Sequence, residues 1–70
     1  MHASNERLLS VSQVIERTSL SRASIYAKAT AGEFPRPVQV STNRVAWPDS
    51  VISAWIAEKV SATYPELAAA

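Results

Sequence analysis

Seventy residues allow one domain, and a chain of that length buries only about 60% of the surface its unfolded form exposes. With no cysteine it has neither a disulfide framework nor a thiolate metal site, and no apolar run approaches the roughly 20 residues of a membrane span. The net charge of +1 is unevenly spread: residues 17–44 hold Arg17, Arg22, Lys28, Arg36 and Arg44 against Glu33, whereas residues 45–70 hold Lys59 against Asp49, Glu58 and Glu66.

Residues 1–7, Met-His-Ala-Ser-Asn-Glu-Arg, are polar and lack the apolar region of a signal peptide, so the expectation is a disordered N-terminus on a soluble, cytoplasmic protein. The first ordered signal is Leu9-Ser10-x-x-Gln13-Val14. Ser10 and Gln13 have capping-box spacing, and Leu9 and Val14 form a hydrophobic staple. A helix is predicted from Val11 to Thr18, with Val11, Val14 and Ile15 on one face.

The same grammar recurs eleven residues on, as Leu20-Ser21-x-x-Ser24-Ile25. It predicts a second helix from Arg22 to Ala31, stopped by Gly32 in a left-handed conformation. Only Ser19 and Leu20 separate Thr18 from the second cap, so the two helices must cross steeply, as in a helix-turn-helix.

Phe34 is an apolar anchor, and Pro35 and Pro37 forbid further helix. Val38-Gln39-Val40, the turn cluster Ser41-Thr42-Asn43 and Arg44-Val45-Ala46-Trp47 predict a β-hairpin. Val38, Val40, Val45 and Trp47 are its candidates to face the core. Pro48 and Asp49 then start a third helix, predicted to Val60, with Val51, Ile52, Trp55 and Ile56 at helical spacing. Trp47, Trp55, Phe34 and Ile25 are expected in the core. Residues 61–70 are expected to be a flexible tail broken at Pro65, with room for one more helical turn.

The expected fold is therefore α+β and mostly helical: a winged helix-turn-helix over residues 8–60, in the order helix, helix, β-hairpin, helix. An enzyme lacks its parts here. His2 has no partner for nucleophilic catalysis, the acids form no pair, and Gly32 is the single glycine, so no phosphate-cradling loop exists. No cofactor, metal or small-molecule ligand is expected.

Four stretches carry a family resemblance: Leu20-Ser21-Arg22-Ala23-Ser24-Ile25-Tyr26, Gly32-Glu33-Phe34-Pro35-Arg36-Pro37-Val38, Arg44-Val45-Ala46-Trp47, and Ser50-Val51 with Ala54-Trp55-Ile56. In this order and spacing, over residues 8–60, the chain resembles the AlpA-type prophage regulators and related excisionases. These share a small winged helix with the DNA-binding domains of MerR-type regulators. Two departures stand out. Ser19 occupies the turn position where the family usually has glycine, so that turn is expected to differ or carry strain. Ala27-Lys28-Ala29 replaces the usual basic residue followed by two apolar ones. Lys28 then either extends its ammonium to phosphate or marks a rotated helix.

The motif makes double-stranded DNA the expected partner. Ser21 and Ser24 stand where free backbone N–H groups meet phosphate, though Ser21 is equally a plain cap. Arg22 opens the second helix and can clamp a guanine or a phosphate, and Ala23 can meet a thymine methyl. Tyr26 is either a phosphate contact or a core ring with a wet tip; Lys28 is a phosphate contact. Arg36 lies on the rigid proline segment. Thr42, Asn43 and Arg44 form the wing tip, where Asn43 also serves turn geometry. Arg17 is read as a helix-end charge. The leading role is a phage- or mobile-element-associated transcriptional regulator. The alternatives are an excisionase-like DNA-bending factor and a module that binds a regulator or recombinase. Further copies of the chain, or an integrase, are possible partners on DNA.

Overall fold

The computed structural model describes residues 6–68; His2 and the other residues of the expected frayed N-terminus up to residue 5 lie outside that range. The elements run β1 (Leu8–Leu9), α1 (Val11–Thr18), α2 (Arg22–Thr30), β2 (Val38–Ser41), β3 (Arg44–Pro48), α3 (Asp49–Thr63) and α4 (Pro65–Ala68). The winged helix-turn-helix order is the expected one. β1 is an addition: it pairs antiparallel with β3, Leu9 opposite Trp47, and makes a three-stranded sheet in the order β1-β3-β2.

Local chemistry sets the helix ends. The Gln13 N–H donates to Ser10 Oγ at 3.3 Å, and the Ser10 N–H donates to Gln13 Oε1 at 2.8 Å, a complete capping box. Ser21 Oγ accepts from the Ser24 N–H at 3.1 Å and starts α2. At its other end the Glu33 N–H donates to the Lys28 carbonyl at 2.8 Å and the Gly32 N–H to the Ala29 carbonyl at 3.2 Å. With Gly32 at φ 82°, this is the Schellman closure that glycine accommodates without a Cβ clash.

The turn between α1 and α2 keeps left-handed geometry despite its serine. Ser19 sits at φ 66° and ψ 12°, and its N–H donates to the Ile15 carbonyl at 2.8 Å. Thr18 braces it: its hydroxyl donates to the Val14 carbonyl at 2.8 Å and accepts from the Leu20 N–H at 3.3 Å. Of the two expectations for this turn, a different geometry or strain, the second holds: the turn is retained with a β-carbon in a conformation costing roughly 1–2 kcal/mol.

Helix α3 runs to Thr63, three residues past its expected end, and α4 is the short turn allowed for after Pro65. Its first turn is capped from the chain's beginning. The Asp49 N–H donates to the Arg7 carbonyl at 2.7 Å, and the Glu6 carboxylate accepts from both the N–H and the hydroxyl of Ser50. Arg17 of α1 reaches α3, with Nη1 2.7 Å from Asp49 Oδ1 and 3.1 Å from Ser53 Oγ.

One core joins all the layers: Leu9, Val14, Ile25, Ala29, Phe34, Trp47 and Ile52, with Val11, Ile15, Leu20, Trp55 and Ile56 half-buried around it. Each fully buried Val, Leu, Ile or Phe side chain contributes about 1.5–3 kcal/mol. Phe34 meets Trp55 edge-on at 4.8 Å between centroids, and Lys59 Nζ lies 5.4 Å above the Trp55 ring.

The hairpin corrects one expectation. Trp47 is fully buried, but Val38, Val40 and Val45 are 44%, 50% and 37% exposed. β3 is covered on one side by β1 and on one face by the helices, which leaves β2 as an outer edge strand with every residue exposed. The hairpin projects as a wing instead of lying on the core. Its Thr42–Asn43 turn has no positive φ, and the register slips between Gln39 and Ser41. An unprimed two-residue turn splays its strands, and a bulge absorbs the mismatch. Gln39 Nε2 ties the turn by donating to the carbonyls of Ser41 and Thr42 at 3.3 and 3.4 Å.

Candidate nucleic-acid interface

Helix α2 divides into a buried line and three outward faces. Ile25 and Ala29 point into the core. Advancing 100° per residue, Ala23 and Ala27 fall on the outermost face, and both are exposed. Arg22, Tyr26 and Thr30, four residues apart, form one flank and are also exposed. Ser24 and Lys28 form the other flank and are half-buried.

These flanks differ in charge. Lys28 Nζ lies 3.9 Å from Glu33 Oε1, so its ammonium is partly answered within the chain. Lys28 extends toward Glu33, the residue after Gly32. On the Arg22 flank, Tyr26 packs its ring edge-on against Trp47 at 5.9 Å and 63° while keeping 39% of its surface exposed. It is both a ring on the core and a wet phenol.

The proline segment is drawn to this flank by two indoles. Trp47 Nε1 donates to the Pro35 carbonyl at 2.9 Å, and Trp55 Nε1 donates to the Glu33 carbonyl at 3.2 Å. Arg36 is therefore carried beside Tyr26, and the two line one shallow depression with Ala29, Thr30 and Pro37. Thr30 is a residue that sequence reasoning passed over. Its signal was its place four residues after Tyr26.

The remaining candidates sit apart. Ser21 is occupied as a cap, its oxygen accepting from the Ser24 N–H and its hydroxyl donating to Ser24 Oγ at 3.0 Å. Thr42 and Asn43 are the exposed wing turn. Arg44, at the start of β3, lines a separate hollow with Leu8, Ser10, Gln13, Val40 and Val45. Arg17 is spent on Asp49 and Ser53 and belongs to the α1–α3 contact. Among the described residues no three His, Cys, Asp or Glu side chains stand together to hold a metal ion, and no helix is long and apolar enough to cross a membrane.

The family described as "Prophage CP4-57 regulatory protein (AlpA)" matches residues 7–60. A protein of Enterobacteria phage P4, described as "Uncharacterized protein ORF88", is 39% identical over 56 residues, which cover 80% of this chain and 64% of that one. The chain thus spans somewhat under two thirds of the length of this relative. No solved structure matches the chain.

Proposed function

The chain belongs to the AlpA family of prophage regulatory proteins, a DNA-binding regulatory family, and from that premise we propose that it binds double-stranded DNA sequence-specifically as a phage-associated transcriptional regulator, without enzymatic activity. α2 enters the major groove, and the wing, residues 38–47, lies on the backbone or in the minor groove. The observation that carries this reading is the outer surface of α2. Its outermost face is Ala23 and Ala27, small enough for close approach to base edges, and Arg22 and Tyr26, both exposed, stand beside it.

In this reading Arg22 reads a base with its guanidinium fork, and Ala23 meets a thymine methyl. Arg36 and Arg44 hold backbone, one from the proline segment and one from the wing. A single module of this kind covers only about 600–1,000 Å² on DNA, so tight binding draws on repeated sites or a protein partner.

Selection of bound sites from random duplexes is the test. A common sequence should emerge, and Arg22→Ala should weaken binding to it by about 1–3 kcal/mol and relax specificity at one position. Failure to enrich any sequence, with no salt-dependent duplex binding, would turn the reading to a protein-interaction module.

A further inference from the structure

We propose that the depression formed by Tyr26, Thr30 and Arg36 is a seat for one backbone phosphate of DNA, with Thr30 a contact in its own right. This rests on the DNA-binding reading above and assigns it a particular subsite.

Of the five residues lining the depression, three carry donors suited to a phosphate oxygen: the Tyr26 phenol, the Thr30 hydroxyl and the Arg36 guanidinium. The other two, Ala29 and Pro37, give it an apolar floor. No carboxylate lines it. That separates it from the groove holding Arg7 and Arg17, which Glu16 and Asp49 also line, and from Lys28, which faces Glu33. The hollow that holds Arg44 also lacks a lining acid, but its other polar side chains, Ser10 and Gln13, are engaged with each other in the capping box of α1.

The seat is also preformed. Tyr26 and Thr30 are one helical turn apart, so both side chains lie on one flank of α2 and line the same depression. Arg36 stands between two prolines, which restrict the backbone on both sides of it. The Pro35 carbonyl is fixed by Trp47 Nε1 at 2.9 Å, and the same indole meets the Tyr26 ring. Both walls therefore lean on one fully buried side chain, Trp47. The backbone on both walls is thus positioned before binding, and the ordering left to binding falls chiefly on the exposed Arg36 side chain.

The test uses the duplex recovered by site selection, with affinity measured against salt for the wild type, Thr30→Val, Arg36→Gln and the double variant. Both positions are exposed, and thermal unfolding checks that the variants remain folded. Arg36→Gln should lower affinity about tenfold and reduce the log–log salt slope by about 0.9, one phosphate's worth. Thr30→Val should weaken wild-type binding several-fold and the Arg36→Gln variant hardly at all, because both act on one phosphate. A walk of single methylphosphonate substitutions should find one position that weakens the wild type but not Arg36→Gln.

Additive effects, or an unchanged salt slope while Arg22→Ala still weakens binding, would overturn the seat and leave the DNA-binding reading standing. Loss of wild-type duplex binding altogether would overturn both. Saturable binding of inorganic phosphate without DNA, read at Tyr26, Thr30 and Arg36 by NMR, would reassign the depression to a free anion.

Discussion

The indole N–H of Trp47 donates to the carbonyl of Pro35 at 2.9 Å, across twelve positions of sequence. The bond joins the buried end of the wing to the segment that leaves α2. Trp47 is fully buried and also supports Tyr26. A single side chain thus links the core, α2 and the proline segment, and the placement of Arg36 depends on a contact it does not itself make.

Trp47→Phe should cost about 2–4 kcal/mol, because it leaves a part-buried carbonyl without its donor and a void in the core beside Tyr26. Trp55→Phe should cost less than about 1.5 kcal/mol, since Trp55 is half-exposed and its bond to Glu33 is longer, at 3.2 Å. Urea unfolding followed by circular dichroism measures both. Equal losses would show that the Pro35 bond contributes nothing particular.

Ser19→Gly should stabilise the domain by about 0.5–1 kcal/mol. Serine bears the cost of a φ of 66°, and glycine removes it, while glycine's larger unfolded-state freedom takes back part of the gain. A higher melting temperature with unchanged duplex binding is the expected result. A destabilised variant would mean that the turn is not left-handed in solution.

Much of this fold was legible because its signals are local. Ser10 with Gln13, Ser21 before Ile25, and Gly32 after Ala31 each act within four residues, and each closes its helix as the spacing requires. What escaped is long-range. Nothing near Pro48 announces that Glu6 and Arg7 will cap α3, and a two-residue strand such as Leu8–Leu9 has no pattern of its own. Alternation in Val38-Gln39-Val40 marks two faces of a strand but does not say that neither meets the core. For the same reason Lys28 was readable as a charge, while its approach to Glu33 depended on how the chain turns at Gly32.

Arg17→Met should lower stability by no more than about 1 kcal/mol, since its bridge to Asp49 is partly open to solvent, with the two side chains 37% and 33% exposed. The loss should shrink as salt screens the pair. Duplex affinity should stay within about twofold of wild type, because the guanidinium is occupied against α3 and releases no phosphate counterion. A drop in the salt slope for this variant would instead place Arg17 on DNA.

Acid should loosen the start of α3 through Glu6. Its carboxyl is held below its ordinary value of 4.5, chiefly by the Ser50 hydroxyl and then by the Ser50 backbone N–H. A carboxylate with a depressed folded-state pKa contributes stability that is present above its unfolded value and is lost as pH falls through its folded one. Glu6→Ala should therefore be less stable than wild type at neutral pH, and its stability should fall less steeply than that of wild type as the medium is acidified below pH 4.5. The two curves should converge at strongly acid pH, where both chains lack the charge. Melting temperatures of the two proteins across that range provide the measurement. Parallel curves would show that Glu6 does not cap α3 as an anion.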